Sequence, residues 1–274
     1  MEVKEYMLDV THMCNLNCAF CLCGEPLPIS ISESVIKSAF IGIDKIDNLY
    51  LSGGEPLLDL NLIYLIKKII KKNKISINTL TVTTNGTYLD NKRKDALLYL
   101  YSKIPNPKLE MSVDRFHRMA VEEYIMQIGA KGSLSFENFV YNAENFCYKN
   151  GIEFVKKDVL EDNVVAKMGR AKNMPDAIPC DNSFNALGNY SMLTHSYDDM
   201  VTITPTGKVV RCNYENNNID DISIGTVLSD SLETLIYRKC IEEIKQNSEI
   251  NFLDFNTISS EIEREYQIKK ASIK

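Results

Sequence analysis

The residues best equipped for chemistry are three thiols, Cys14, Cys18 and Cys21, in the stretch Thr11-His12-Met13-Cys14-Asn15-Leu16-Asn17-Cys18-Ala19-Phe20-Cys21-Leu22-Cys23-Gly24-Glu25. With three and then two residues between them, one short loop can fold three sulfurs around a single inorganic centre without help from distant residues. Structural zinc usually takes four protein ligands, and iron–sulfur clusters are held by thiolates. Three ligands on a four-iron cluster leave one iron open to an exogenous molecule. A chance cysteine cluster, or a zinc knuckle with Cys23 as fourth ligand, would give the same pattern. Zinc spacings usually pair two Cys-x-x-Cys units across a longer gap, and no second unit is present.

The elements that must position these thiols follow from periodicity. Glu5 to Thr11 reads as a strand that ends where the cysteine loop begins. Ser30-Ile31-Ser32-Glu33 reads as a capping box, ahead of Val35, Ile36, Ala39, Phe40 and Ile43 at helical period. Strands follow at Leu49–Ser52, Leu80–Thr84, Leu109–Asp114 and Ile152–Val155. Between them lie helices with apolar faces at Leu62, Ile66, Ile69 and Ile70, then Leu97, Leu98 and Tyr101, then Phe136, Phe139, Val140, Ala143, Phe146 and Cys147. Asp59 or Asn61 caps the first of these, Asp90 the second, and Asn150-Gly151 stops the third. Strand–helix alternation implies a parallel sheet with right-handed crossovers, whose ligand groups gather beyond the carboxyl ends of the strands. The cysteine loop, Gly53-Gly54-Glu55-Pro56, Thr84-Asn85-Gly86 and Ser112-Val113-Asp114 all fall at such ends.

Each of those motifs has a plain reading as turn or helix-start chemistry. It also has a functional one: glycines let a ligand approach the backbone, Glu55 offers a carboxylate to an ammonium, and short hydroxyl and acid side chains can bond ribose hydroxyls. Cys-x-x-x-Cys-x-x-Cys after a Val-Thr strand end, followed by Gly-Gly-Glu-Pro, resembles the signature of the radical S-adenosylmethionine (radical SAM) superfamily. The resemblance implies a 4Fe-4S cluster on Cys14, Cys18 and Cys21, with S-adenosylmethionine chelated at the open iron. It implies cofactor contacts from Gly53, Gly54, Glu55, Pro56, Thr84, Asn85, Ser112 and Asp114. Met168-Gly169-Arg170-Ala171 resembles a Gly-Arg-Ala segment whose guanidinium can fork onto the cofactor carboxylate, although Arg170 also reads as an ordinary surface arginine. The implied chemistry is one-electron cleavage of the sulfonium, giving a 5′-deoxyadenosyl radical that takes hydrogen from a substrate. His12 reads as packed, or else as supporting the first ligand; His117 reads as a solvent-facing helix-start residue, or else as a substrate contact at the rim; Cys147 and Cys240 read as small buried hydrophobes.

The fold implied is α/β, a partial (β/α)6 TIM-like barrel over residues 1–175, with a small α+β C-terminal extension over 176–274. From Glu161 to about Met200 no periodicity persists, and a long segment of that kind inside a domain is functional or partly disordered. Val201–Thr204 and Lys208–Cys212 read as a hairpin, Ser231–Lys245 as a last helix, and Ser259–Lys274 as a charged, helical tail. Thr204-Pro205-Thr206-Gly207-Lys208-Val209-Val210-Arg211-Cys212 with Ile224-Gly225-Thr226-Val227 is similar to the opening of a SPASM or twitch extension. The sequence departs from that pattern: no cysteine stands four residues past Gly225, and the downstream Cys-x-x-Cys is missing. Cys180 and Cys212 would need recruits such as Cys147 or Cys240, so no auxiliary iron–sulfur cluster is expected.

The 274 residues carry a formal charge of −6, which leaves no electrostatic footprint for nucleic acid. No stretch approaches a membrane span, and eight cysteines without a secretion signal point to a reducing, cytoplasmic setting and to metal rather than disulfides. Expected partners are an external flavodoxin- or ferredoxin-like electron donor and a substrate. That substrate is a peptide, as SPASM-like extensions often accompany, or alternatively a small metabolite such as a sugar or nucleotide. Only 13 residues precede Cys14, so no leader-binding domain is expected there. A non-catalytic metal-binding module is the reading of another class, and it has no need of Gly-Gly-Glu-Pro and Asn-Gly at neighbouring strand ends.

Overall fold

In a computed structural model, described for residues 1–21, 23–130, 134–158, 170, 186–191, 196–211, 223–246 and 264, the alternation becomes one sheet. Strands β1 (Glu2–Thr11), β2 (Lys45–Gly53), β3 (Ser76–Thr84), β4 (Asn106–Ser112) and β5 (Glu153–Lys157) are parallel neighbours in that order. Beyond β5 come the two-residue β6 (Tyr190–Ser191) and then β7 (Ser196–Ile203), which lies parallel to β1 on its other side and brings the parallel strands to six. Both β6 and β8 (Val209–Val210) pair antiparallel with β7. The hairpin read around Pro205-Thr206-Gly207 is therefore present, and its first strand belongs to the same sheet as the cysteine loop. Among the described residues β5 and β6 end the sheet and do not pair with each other, so the sheet is open.

Helices α1 (Glu33–Ala39), α2 (Leu60–Asn73), α3 (Asn91–Tyr101), α4 (Arg115–Gln127) and α5 (Phe136–Asn150) connect the strands, with α6 (Ala186–Asn189) and α7 (Leu232–Gln246) later in the chain. Short polar side chains start them. Ser32, Asp59, Asp90, Asp114 and Ser135 each accept a backbone N–H from the first turn of a helix. The capping box shifts relative to expectation: Ser32 caps α1, while Ser30 bridges Thr11 through hydroxyls 2.9 Å apart. Helix α4 was read only as a helix start at His117, because Arg115–Gln127 buries only Ala120, Val121 and Ile125 and shows little apolar stripe. On α3, Leu98 faces outward, and Ala96, Leu97, Leu100 and Tyr101 form the buried face.

Side-chain alternation along the strands separates two environments. Leu8, Val10, Leu49, Leu51, Leu80, Val82, Leu109 and Met111 are buried in the hydrophobic core shared with helical residues such as Ile36, Ile63, Ile66, Leu97 and Val121. Each large side chain buried there contributes about 1.5–3 kcal/mol. The alternate residues Met7, Tyr50, Ser52, Thr83, Glu110 and Ser112 line a cavity instead. Tyr50 donates to Glu5 at 2.8 Å and Asn48 to Glu5 at 2.6 Å, while Thr83 and Lys157 donate to Glu110 at 3.2 and 3.1 Å. Among the described residues, no helix is long and apolar enough to cross a membrane.

Candidate active site

The cysteine loop leaves β1 and is tied to its neighbours by backbone bonds. His12 N–H donates to Ile29, Leu27 N–H to His12, Gly54 N–H to Thr11 (2.6 Å) and Glu55 N–H to Met13 (2.8 Å). The last two explain the glycines. Gly53 has φ of +128°, and a Cβ there would sit 2.3 Å from Thr11 O; a Cβ on Gly54 would sit 2.2 Å from Met13 O. Only bare backbone fits between the end of β2 and the start of the loop, so Gly-Gly positions the cysteines as well as facing the cavity. A second tie comes from the end of β3. Asn85 Nδ2 lies 3.7 Å from Cys14 Sγ and donates to Asn15 Oδ1 at 3.0 Å, and Asn15 in turn donates to Thr87 at 2.9 Å.

Cys14, Cys18 and Cys21 all line the cavity, of about 470 Å³, together with Gly53, Gly54, Thr84, Asn85 and Ser112. The sequence thus brings eight of its twelve candidate residues to one space. Glu55, Pro56, Asp114 and Arg170 are not in its lining. Burial pushes the Cys14 thiol up to about 11 and that of Cys18 up to about 12. Cys21 is drawn down to about 6, first by a hydrogen bond from the Cys23 thiol, with Arg170 adding to the effect. The Cys23 thiol also lies 3.4 Å from Gly53 O, so its one proton serves the carbonyl or the Cys21 sulfur at any moment. Among the described residues, no three His, Cys, Asp or Glu groups converge tightly enough to hold a single metal ion. The thiols face a common cavity rather than a common point. Three thiols, Cys18 buried and Cys14 and Cys21 half-buried, fixed by two neighbouring strand ends beside a cradle that admits only glycine, are a donor set that fits a thiolate-held cluster with one open position.

Glu55 sits differently from the expectation that it meets an ammonium. It is fully buried, and its carboxylate accepts from Leu57 N–H (3.0 Å), Asn85 N–H (2.7 Å) and the Thr84 hydroxyl (3.0 Å to both oxygens). It caps the short 3-10 turn Pro56–Leu58 and joins β2 to the end of β3. Asp114 lies past the end of β4 rather than on it. Its carboxylate caps α4 at Phe116 and His117 and meets His117 Nδ1 at 2.6 Å. Burial alone would raise this acid, but the His117 ring and the two backbone N–H groups outweigh it and hold the carboxyl below its ordinary range. His117 is consequently a cavity-wall residue, with its ring edge-on to Phe20 at 5.2 Å, and not a solvent-facing one. His12 is packed as expected, 6% exposed and 2.7 Å from buried Asp9.

Arg170 is the described member of Met168-Gly169-Arg170-Ala171; the other three lie outside the described residues, as do Cys180, Cys212 and most of the tail. Its backbone N–H donates to Cys21 O at 3.0 Å, and Nη1 reaches Asn17 Oδ1 and Glu25. Nε and Nη2 are buried beside the thiols of Cys18 and Cys21, whose ionisation this charge favours. Cys147 and Cys240 are buried in apolar surroundings, with thiols pushed up to about 12. Sequence reasoning missed the polar inner face, namely Glu5, Tyr50, Thr83, Glu110 and Lys157. The signal was present: parallel strands covered on both faces read as continuous apolar runs, whereas Tyr50-Leu51-Ser52 and Glu110-Met111-Ser112 alternate.

An open parallel α/β sheet carrying three thiols at the carboxyl end of its first strand defines a class of cluster-binding proteins. A family model described as the radical SAM superfamily matches residues 8–152, and the chain belongs to that superfamily of enzymes. A probable GTP 3',8-cyclase of Methanococcus aeolicus is 35% identical over 144 residues, covering 44% of this chain and 47% of that protein. A GTP 3',8-cyclase of Lactiplantibacillus plantarum is 28% identical over 120 residues, covering 40% and 31%. The chain thus spans less than half the length of either relative. The solved structure of anSMEcpe with bound AdoMet covers 90% of this chain and 86% of its own, at 14% identity and a TM-score of 0.48.

Proposed function

We propose that this chain binds a 4Fe-4S cluster on Cys14, Cys18 and Cys21 with S-adenosylmethionine at its open position, and removes a hydrogen atom from a small polar molecule. The observation that carries the reading is one cavity lined both by the three thiols and by a polar strand face. When bound, the cluster and S-adenosylmethionine supply one-electron cleavage of the sulfonium and, through it, hydrogen-atom abstraction.

The chain's own residues do the rest. Gly53 and Gly54 leave backbone open to the cofactor, with Thr84, Asn85 and Ser112 beside them. Glu55, Pro56 and Asp114 act behind that surface by fixing the strand ends and His117. Arg170, with two buried donors and a place beside Cys18 and Cys21, holds negative charge at the thiolates or the cofactor carboxylate. The core spans residues 1–175 with an extension over 176–274 that lends β7 to the sheet, no auxiliary cluster is held, and the electron arrives from an external flavodoxin- or ferredoxin-like donor.

A small substrate is favoured over a peptide on two grounds. The inner face presents Tyr50, Ser52, Thr83, Glu110 and Lys157 as hydrogen-bonding groups. Relatives with 28–35% identity are named for an activity on GTP. The test is anaerobic reconstitution with iron and sulfide, then dithionite and S-adenosylmethionine. The reading expects 5′-deoxyadenosine from the wild type and none from Cys18→Ala. A loaded protein that neither cleaves nor binds S-adenosylmethionine would overturn it.

A further inference from the structure

At the opposite end of the sheet from the cysteine loop, where β3 and β4 begin, a second cavity of about 380 Å³ is ringed by Lys67, Lys71, Lys74 and Lys103. No carboxylate lines it. Lysines elsewhere pair with acids, as in Lys37 with Glu33, Lys45 with Glu2 and Lys108 with Glu153. Lys67 is 9% exposed, and its ammonium donates to Ser102 O at 2.5 Å. Burial holds its pKa below the ordinary lysine value, with Lys103 and Lys71 adding repulsion.

Lys74 and Lys103 have φ of +56° and +66°, and they are the non-glycine residues with positive φ among those described. Each follows the carboxyl end of a helix, α2 and α3 respectively, where glycine is the usual occupant. Strained backbone of this kind gathers at ligand sites. The helix ends account for part of the charge, since each carbonyl terminus carries about half a negative charge. One of these ends is met directly by Lys67 through the carbonyl of Ser102, the C-cap of α3, and the two ends together still leave most of four cations unmatched. Ile70, Ile75, Ile104 and Tyr99 supply apolar wall beneath the lysines.

We propose that this cavity is a binding site for a small amphipathic anion, a phosphate or carboxylate head group on an apolar body. The head is held by Lys71, Lys74 and Lys103 with Lys67 behind them, and the body lies on the isoleucines and Tyr99. Lysine serves here as a point charge for such an oxyanion.

The test is calorimetric titration of the full chain at fixed ionic strength with phenyl phosphate, octanoate and inorganic phosphate. Saturable binding of phenyl phosphate or octanoate is expected, and the tighter of the two identifies the head group. Lys71→Glu with Lys103→Glu should weaken it at least about tenfold. Lys68→Glu with Lys72→Glu, an equal charge change on exposed residues of α2 outside the cavity, should leave it within about twofold. Lys103→Gly separates binding from folding, since it relaxes the left-handed backbone while removing a cation and should bind more weakly at unchanged or higher stability. The proposal is overturned by no saturable binding of either amphiphile, by binding that the cavity pair does not weaken, or by equal loss in the control pair. Inorganic phosphate binding as tightly as phenyl phosphate would overturn the amphipathic assignment.

Discussion

Glu55→Gln separates a structural carboxylate from a cofactor ligand. Burial is the largest influence on Glu55 and lifts its pKa from 4.5 to about 7, against the pull of Asn85 N–H, Leu57 N–H and the Thr84 hydroxyl. The folded state therefore keeps this proton to higher pH than the unfolded state does. Stability contributed at Glu55 is complete below about pH 4.5 and declines as pH rises to about 7, by roughly 3 kcal/mol at most. Glutamine has no such slope. A protonated acid still has two oxygens that can accept, whereas an amide nitrogen facing Asn85 or Leu57 N–H leaves a buried donor unmatched, at about 1–3 kcal/mol. The variant should be less stable by about 2 kcal/mol near pH 5.5, a loss of about 4–8 °C in Tm, and the gap should narrow toward pH 8. Thermal unfolding across that pH range reads both effects. Wild-type stability with a parallel pH profile, accompanied by tenfold weaker S-adenosylmethionine binding, would refute the reasoning and make Glu55 the ammonium partner.

Four further substitutions probe the scaffold and the ligands of the site. Gly54→Ala drives a methyl into Met13 O and should displace the cysteine loop, lowering iron content after reconstitution several-fold with far-ultraviolet circular dichroism unchanged; normal iron would show that the cradle yields. Asp114→Ala removes the cap of α4 and the partner of His117, costing about 1–2 kcal/mol by urea unfolding. Because the Asp114 carboxyl titrates below its ordinary range, its stabilisation is present above that range and fades as pH falls, and the alanine variant should lack that acid-side fade. Cys147→Ala should retain full iron while Cys14→Ala loses it, since Cys147 is buried on α5 and Cys14 faces the cavity; equal iron in both would sink the ligand assignment.

The sequence was most informative where local chemistry decides. Three thiols at loop spacing, the glycine pair and Asn85 are legible because backbone rules confine those types to strand ends. Roles were less legible than positions. Glu55 and Asp114 were read as facing a ligand, yet both carboxylates turn inward onto backbone N–H groups, and spacing alone cannot tell which way a carboxylate at a strand end turns. Helix α4 was legible only as a helix start at His117 because its buried stripe is three residues wide, and β7 only as a hairpin strand because its place in the sheet is set by β1, nearly two hundred residues away. The inner face was missed because its polar residues alternate singly with the core.

The most direct test of the account is the iron and acid-labile sulfide content of anaerobically reconstituted wild type beside the variant with Cys14, Cys18 and Cys21 all replaced by alanine. The account predicts about four of each per chain in the wild type and close to none in the variant. About one zinc per chain with no iron, or a full iron complement in the variant, would contradict it.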